Sequence, residues 1–392
     1  MTARCPACDR PDLVPFHAQD GVPAHSCLLL EDRQVAREFP RGAIRLAYCR
    51  ACGFITNTAF DTSLNQYSTR YEETQGFSPR FQDFARGLAQ RWVDRYDLRG
   101  THIIEIGCGK GEFLGLMCEL GKNQGTGIDP SAVPGRAGNT AEGHLRFVLE
   151  LYSDGYGPLD AGAIVCRHTL EHISPVADFM RTVRWGIGDR LDTVVLFELP
   201  DVLRVLREVA FWDVYYEHCS YFTAGSLARL FHSTGFEILD LSLEYDDQYI
   251  VVEARPVGAS RPERPFLPEA DLGEIAHAVE HFQSSYAATL GRWRKDLRRA
   301  VDRGQRVVVW GSGSKGVAYL TSLGLETEVE YVVDINPFKH GMHMAGTGHP
   351  IIGPDALVDY RPDLVVVMNP IYEAEIRSEV SRLGLATEIV TV

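Results

Sequence analysis

The sequence predicts an α/β chain in three parts, a small N-terminal module followed by two doubly wound, nucleotide-binding-style units. Three observations carry this. Two Cys-x-x-Cys pairs, Cys5/Cys8 and Cys49/Cys52, fall within residues 1–65. A Gly-rich turn, Glu105-Ile106-Gly107-Cys108-Gly109-Lys110-Gly111, opens one run of alternating strands and helices, and Gly311-Ser312-Gly313-Ser314-Lys315-Gly316 opens another. The expected units are therefore 1–65, 66–258 and 259–392, within the size that single cores allow.

Composition limits what such a chain does. Its 39 basic and 53 acidic side chains give a net charge of −14, with no basic stripe for nucleic-acid phosphate or anionic lipid. No window approaches the roughly 18 uncharged apolar residues of a membrane span, and the start, MTARCPACDR, has no apolar leader core. A cytoplasmic protein acting on a small molecule is expected, without nucleic-acid or membrane partners.

Residues 1–65 are rich in turn formers and read as short strands around the cysteines. Each Cys-x-x-Cys knuckle folds two thiolates toward one point, and two knuckles supply the four sulfurs that structural Zn²⁺ prefers. Gly53, after Cys52, suits the tight turn of such a knuckle. Disulfides are the alternative, disfavoured by the five further lone cysteines and the absence of a leader. A closed four-sulfur site is structural, holding together a module too small to bury a sufficient core alone.

In the second unit, Phe81, Phe84, Leu88 and Trp92 recur at helical spacing over 78–96. Strands follow at 102–106, 124–128, 163–166, 193–199, 238–243 and 249–253, with a helix around 113–120. The first Gly-rich turn sits between an apolar strand and that helix, where glycines let main chain approach a ligand. Asp129, 22 residues after Gly107 at the end of the next strand, is placed for ribose hydroxyls. A dinucleotide Gly-x-Gly-x-x-Gly turn needs glycine at position 112, which is Glu112.

Four prolines in 256–268 mark a linker, and a helical pattern runs from 269 to 303. Its apolar stripe, Val279, Phe282, Tyr286, Leu290, Trp293 and Leu297, faces a core. The second Gly-rich turn lacks the spacing of a phosphate-binding Walker loop. It reads either as an anion site with Ser314 and Lys315 or as a packing turn.

One segment concentrates reactive groups: Tyr215, Glu217 and His218 lie within four positions. Imidazole has the ordinary pKa best suited to taking a proton near neutrality, a carboxylate tunes it, and phenols donate to a developing oxyanion. Each also has a purely structural reading as a buried, satisfied side chain.

Residues Glu105 to Gly111 with Asp129 resemble the Asp/Glu-x-Gly-x-Gly-x-Gly pattern of the S-adenosylmethionine (SAM)-dependent methyltransferases, which have a Rossmann-like fold. The resemblance implies that Glu105, Gly107 and Gly109, with Cys108 in the same turn, surround the aminoacyl part of SAM. It places Asp129, followed by Pro130, on the ribose, and Glu150 near the adenine. Segment 166–172, containing Arg167, then lines the methyl-donor pocket.

The cysteine module, the Tyr-x-Glu-His run and the C-terminal unit together resemble the sugar C-methyltransferases, which act on nucleotide-linked 4-keto-deoxysugars. Asp334-x-Asn336-Pro337-x-Lys339-x-Gly341 matches a run of that family's C-terminal domain. The resemblance implies that His218 takes a proton from the carbon beside the ketone with Glu217 next to it, while Tyr215, His172 and Tyr71 stabilise the enolate. Tyr67 is the lesser candidate for the role given to Tyr71. The chain departs from the family at 245–253, where Asp246 and Asp247 replace a glycine- and arginine-containing turn and repel a diphosphate. Methyl transfer to oxygen or nitrogen, with His172 or His218 as base, and a non-catalytic SAM-binding scaffold are the competing readings.

Overall fold

A computed structural model describes residues 4–65, 67–136, 144–258 and 271–392. Most of the Pro-rich linker expected at 256–268 lies outside the described residues. The described residues form three sheets. In the first, β1 (Leu13–Pro23), β2 (Arg41–Cys49) and β3 (Ile55–Asn57) run antiparallel. β1 is 11 residues long where short strands were expected. Its turn-forming residues are absorbed as irregularities, with register shifts between Pro15 and His17 and between Gln19 and Val22.

The second sheet is the Rossmann-like one. Its central strands are β4 (His102–Ile106), β5 (Gln124–Ile128), β6 (Leu145–Val148), β7 (Ala163–Arg167) and β8 (Val194–Pro200), paired in parallel. Strand β9 (Ser220–Tyr221) leaves this unit and pairs with β3 as the fourth strand of the N-terminal sheet. The hairpin β10 (Phe236–Glu244) and β11 (Tyr249–Pro256) adds antiparallel to β8, giving the order β10-β11-β8-β7-β4-β5-β6. Strand order reverses beside β4, and in such sheets ligands bind at the strand ends near that point.

Helices cover the sheet for local reasons. In α1 (Arg33–Arg37) and α2 (Pro79–Arg95) the caps are Asp32 and Ser78, and Pro79 occupies the first turn of α2. The face of α2 predicted to be apolar buries Leu88 and Trp92, and the Trp92 indole donates to Glu253 across 2.9 Å. α3 (Glu112–Gly121), α4 (Val176–Ile187), α5 (Val202–Glu208) and α6 (Ala224–Ser233) follow, the last closed by a Thr223/Ser226 capping box.

α7 (Leu272–Asp302) leads into the third sheet, all parallel in the order β14-β13-β12-β15-β16. Its strands are β12 (Val307–Trp310), β13 (Tyr331–Val333), β14 (Ile351–Ile352), β15 (Leu364–Val367) and β16 (Glu388–Thr391), with α8 (Ser314–Leu323), α9 (Leu357–Tyr360) and α10 (Glu373–Arg382) between them. Phe16 of β1, Tyr216, Phe282 of α7 and Tyr319 of α8 share one apolar core, so the three sheets are packed through α7 rather than strung on linkers. No helix among the described residues is long and apolar enough to cross a membrane.

Candidate active site

A cavity of about 1550 Å³ lies where all three sheets converge, lined at one end by the first Gly-rich turn and at the other by Tyr67, Tyr71, His172, Tyr215 and His218. The turn passes from β4 to α3 with Gly107, Gly109 and Gly111 at φ 72°, 51° and 80°. These left-handed conformations suit glycine, and a Cβ on Gly107 would run into the Thr169 side chain. Asp129, just past β5, accepts from the amides of Gly109 at 2.9 Å and Ser131 at 2.6 Å, which ties the acid to the turn.

Cys108, Pro130, Glu150 and Arg167 also line the cavity. Glu150 is exposed beyond β6, within 3.4 Å of the Tyr156 hydroxyl. Arg167 forks onto Glu198 at 2.8 and 3.0 Å and stacks over Phe113, so its charge is committed inside the protein.

This end is rich in buried carboxyls. Burial pushes Glu105 up to about 8, with Arg167 opposing, and Glu73 up to about 7, with Lys110 opposing. Glu105 Oε2 and Glu73 Oε2 are both buried without a hydrogen-bond partner. The nearby cations are turned elsewhere: Lys110 Nζ donates to Ser131 O at 2.8 Å, and Arg136 forks onto Glu72 at 2.7 and 3.0 Å. Orphaned buried carboxyls beside a glycine turn fit a ligand that brings its own positive charge, as the sulfonium nucleoside SAM does.

At the other end, the loop before β9 carries Tyr215, Glu217 and His218. His218 lines the cavity, its ring centroid 4.2 Å from Tyr215 and 4.8 Å from His172. Burial holds its pKa well below the ordinary 6.5, reinforced by His172, His168 and Lys315, so the ring is neutral and open to a proton. Glu217 does not face it. The fully buried carboxylate takes a hydrogen bond from His25 Nδ1 at 2.9 Å and one from the Ser26 amide at 2.9 Å, both in the N-terminal module. These partners lie 192 and 191 positions away in the chain, beyond anything the local sequence pattern around Glu217 reveals.

His172 Nδ1 lies 3.0 Å from Glu217 O and 2.9 Å from the Tyr67 hydroxyl. A carbonyl oxygen only accepts, so Nδ1 carries a proton directed at Glu217 O. Tyr71 packs 5.1 Å from Tyr67 and 6.0 Å from His25. The lesser candidate Tyr67 is thus the tyrosine that touches His172, and Tyr71 stands behind it against the module.

Sequence reasoning passed over His25, Ser26 and Glu171. Glu171 is buried, lines the cavity, and leaves Oε2 unpartnered, while one ligand-type atom each of Glu171, His172 and His218 lies within 4.8 Å of the others. Its adjacency to His172 in the segment 166–172 was the available signal. Behind it, His168 reaches Glu198 at 2.8 Å and Glu171 at 3.6 Å. Burial opposes charge on His168, yet these two carboxylates raise it to about 9.

The second Gly-rich turn borders the same cavity, but Lys315 is paired with Asp213 at 2.8 Å, which also holds Arg204 at 2.7 Å. Ser314 Oγ lies 3.6 Å from Cys27 Sγ. The two Cys-x-x-Cys pairs meet as expected from their spacing: Cys5 and Cys52 Sγ are 3.7 Å apart, Cys8 and Cys49 3.6 Å. All four sulfurs are unbridged and lie within 4.8 Å of one another. A disulfide needs about 2.0 Å, whereas sulfurs around a tetrahedral zinc with bonds of about 2.3 Å sit about 3.8 Å apart.

Two known protein families match parts of the chain. Residues 79–241 match the family described as a methyltransferase domain, and residues 269–387 match the C-methyltransferase C-terminal domain. The C-methyltransferase NovU of Streptomyces niveus is 26% identical over 313 residues, which cover 74% of this chain and 72% of that one. A ribosomal protein L11 methyltransferase of Pectobacterium carotovorum is 35% identical over 80 residues, only 20% of this chain and 27% of that protein. Among solved structures, the 1,6-didemethyltoxoflavin-N1-methyltransferase of Burkholderia thailandensis aligns with a TM-score of 0.37 at 17% identity, covering 46% of this chain and 82% of that one.

Proposed function

Proceeding from a chain that is a SAM-dependent methyltransferase and a homologue of C-methyltransferase NovU, we propose that it methylates the carbon beside a ketone of a deoxysugar, through an enolate. The observation that carries this reading is the neutral, buried His218, which faces the same cavity as the Gly107–Gly109 turn. A weak, desolvated base is suited to a C–H already acidified by an adjacent carbonyl.

In this reading Glu105, Gly107, Cys108, Gly109, Asp129, Pro130, Glu150 and Arg167 form the cofactor end, and SAM supplies an electrophilic methyl group there. His218 takes the proton from the acceptor carbon. The imidazolium that forms is stabilised by Glu171, whose carboxylate belongs to the same cluster. Tyr215, and His172 with Tyr67 and Tyr71 around it, supply hydrogen bonds and dipoles to the enolate oxygen. Glu217 positions rather than tunes: its carboxylate locks the base-bearing loop to His25 and Ser26. Holding donor and acceptor in one cavity accounts for much of the rate.

The acceptor is a small keto-sugar conjugate met in the cytoplasm. Cys5, Cys8, Cys49 and Cys52 hold a structural Zn²⁺ that closes the 1–65 module, with 66–258 as the catalytic unit and 259–392 as the acceptor-binding one. The test is incubation with a panel of nucleotide-linked 4-keto-deoxysugars in deuterated solvent. Deuterium wash-in at the carbon beside the ketone, followed by a new C–CH₃ signal when SAM is added, is expected. A product carrying O–CH₃ or N–CH₃ overturns the enolate reading.

A further inference from the structure

Glu73 lines the cavity at its Gly-rich-turn end, on a segment fixed from both sides. The Glu72 amide donates to Cys27 O at 2.8 Å, and Tyr71 bridges to Leu28. The Glu72 carboxylate is held by Arg136 and by Asn336 Nδ2 at 2.9 Å, which links the segment to the C-terminal unit. So anchored, Glu73 places its carboxyl over the Gly-rich turn, where a Cβ on Gly109 would collide with Glu73 Oε1. Its other oxygen is buried and unpartnered.

The surrounding protein gives this carboxyl no ion-pair partner. Lys110 is turned to Ser131 O, Arg136 to Glu72, Arg167 to Glu198, and Lys339 lies 3.6 Å from Asp334. Asp129 and Glu105 add further carboxyls to the same wall. A rigidly held, desolvated carboxyl in a cavity wall, with every neighbouring cation committed, is a defect for folding and an asset for binding a cation. Its elevated pKa agrees: burial raises it, and Lys110 opposes without prevailing.

We propose that Glu73 is the counter-ion for the positive charge of the bound cofactor, an assignment that rests on the SAM-dependent reading above. SAM offers two cations, its α-ammonium and its sulfonium, whereas S-adenosylhomocysteine keeps only the first. The experiment is calorimetric titration of the full chain and its Glu73→Gln variant with each nucleoside, alongside thermal unfolding without ligand. Glu73→Gln is expected to weaken SAM binding by about tenfold or more. An equal loss for both nucleosides identifies the ammonium as partner, and a loss confined to SAM identifies the sulfonium. The ligand-free midpoint is expected to hold or rise, because a buried unpaired carboxyl has been removed. Unchanged affinity for both nucleosides, or a loss that tracks a lowered midpoint, overturns the assignment. Failure of the unmodified chain to bind SAM overturns the cofactor reading itself and the role of Glu73 with it.

Discussion

Glu217 Oε1 and His25 Nδ1 meet at 2.9 Å although 192 positions separate them in the chain. Both side chains are buried, and the Ser26 amide supplies a second donor to the same carboxylate. Burial would raise Glu217, but His25, His172 and Ser26 hold it below the ordinary carboxylate value. The acid beside the base is thus spent on fixing the base-bearing loop to the N-terminal module.

Removing His25 should therefore be felt at a distance. His25→Ala leaves a buried carboxylate with a single remaining donor from this pair, and a destabilisation of about 3 kcal/mol is expected in urea unfolding. Turnover should fall with it while SAM affinity stays near that of the unmodified chain.

His218→Ala is expected to lower turnover by about a thousandfold or more, with SAM binding retained. The decisive measurement is solvent-deuterium exchange at the acceptor carbon without SAM. Exchange at the unmodified rate would assign the base elsewhere, His172 being the nearest alternative.

Stability should fall with rising pH through His168. Its folded pKa of about 9 exceeds the ordinary 6.5, burial opposing and Glu171 and Glu198 prevailing. A raised histidine contributes stability that is fully present below 6.5 and lost as pH climbs through about 9. The loss amounts to roughly 3 kcal/mol, read from urea unfolding at about pH 6 and about pH 10, and His168→Gln should flatten the slope.

Metal analysis of the purified chain is expected to find a single zinc, and Cys49→Ser should lower its content by about tenfold or more. Because β9 begins two residues after His218 and pairs with β3, chelation should also quench activity, even though the sulfurs lie outside the catalytic cavity. Full activity in a zinc-free, folded chain would count against the site.

Gly107→Ala combines a φ of 72° with a Cβ that meets Thr169, so a stability loss of about 1–3 kcal/mol is expected. Cofactor affinity should drop in parallel, measurable in the same titrations used for Glu73.

Local pattern foretold much of this architecture. Strand β4 and the Gly-rich turn are legible because apolar runs and glycine spacing are properties of neighbouring residues. The cysteine cluster is legible because each knuckle is local and sulfur chemistry leaves few options. The partner of Glu217 was not legible: adjacency in sequence pointed to His218, but Glu217 sits in a turn closed by the His218 amide on Tyr215 O, and its carboxylate reached His25 instead. Glu73 was invisible for the converse reason, since an acidic residue in a polar segment resembles a solvated one until the fold buries it.

Strand β9 has a consequence for how the chain is made. During synthesis, residues of β1 to β3 exist long before residues 220–221 are joined to the chain, so the N-terminal sheet must wait with the outer edge of β3 open. An unpaired edge is an invitation to the wrong neighbour. Early metal capture by the four thiols would shelter that edge by pinning β2 and its following turn, and a nascent chain starved of zinc should aggregate before its catalytic half has emerged.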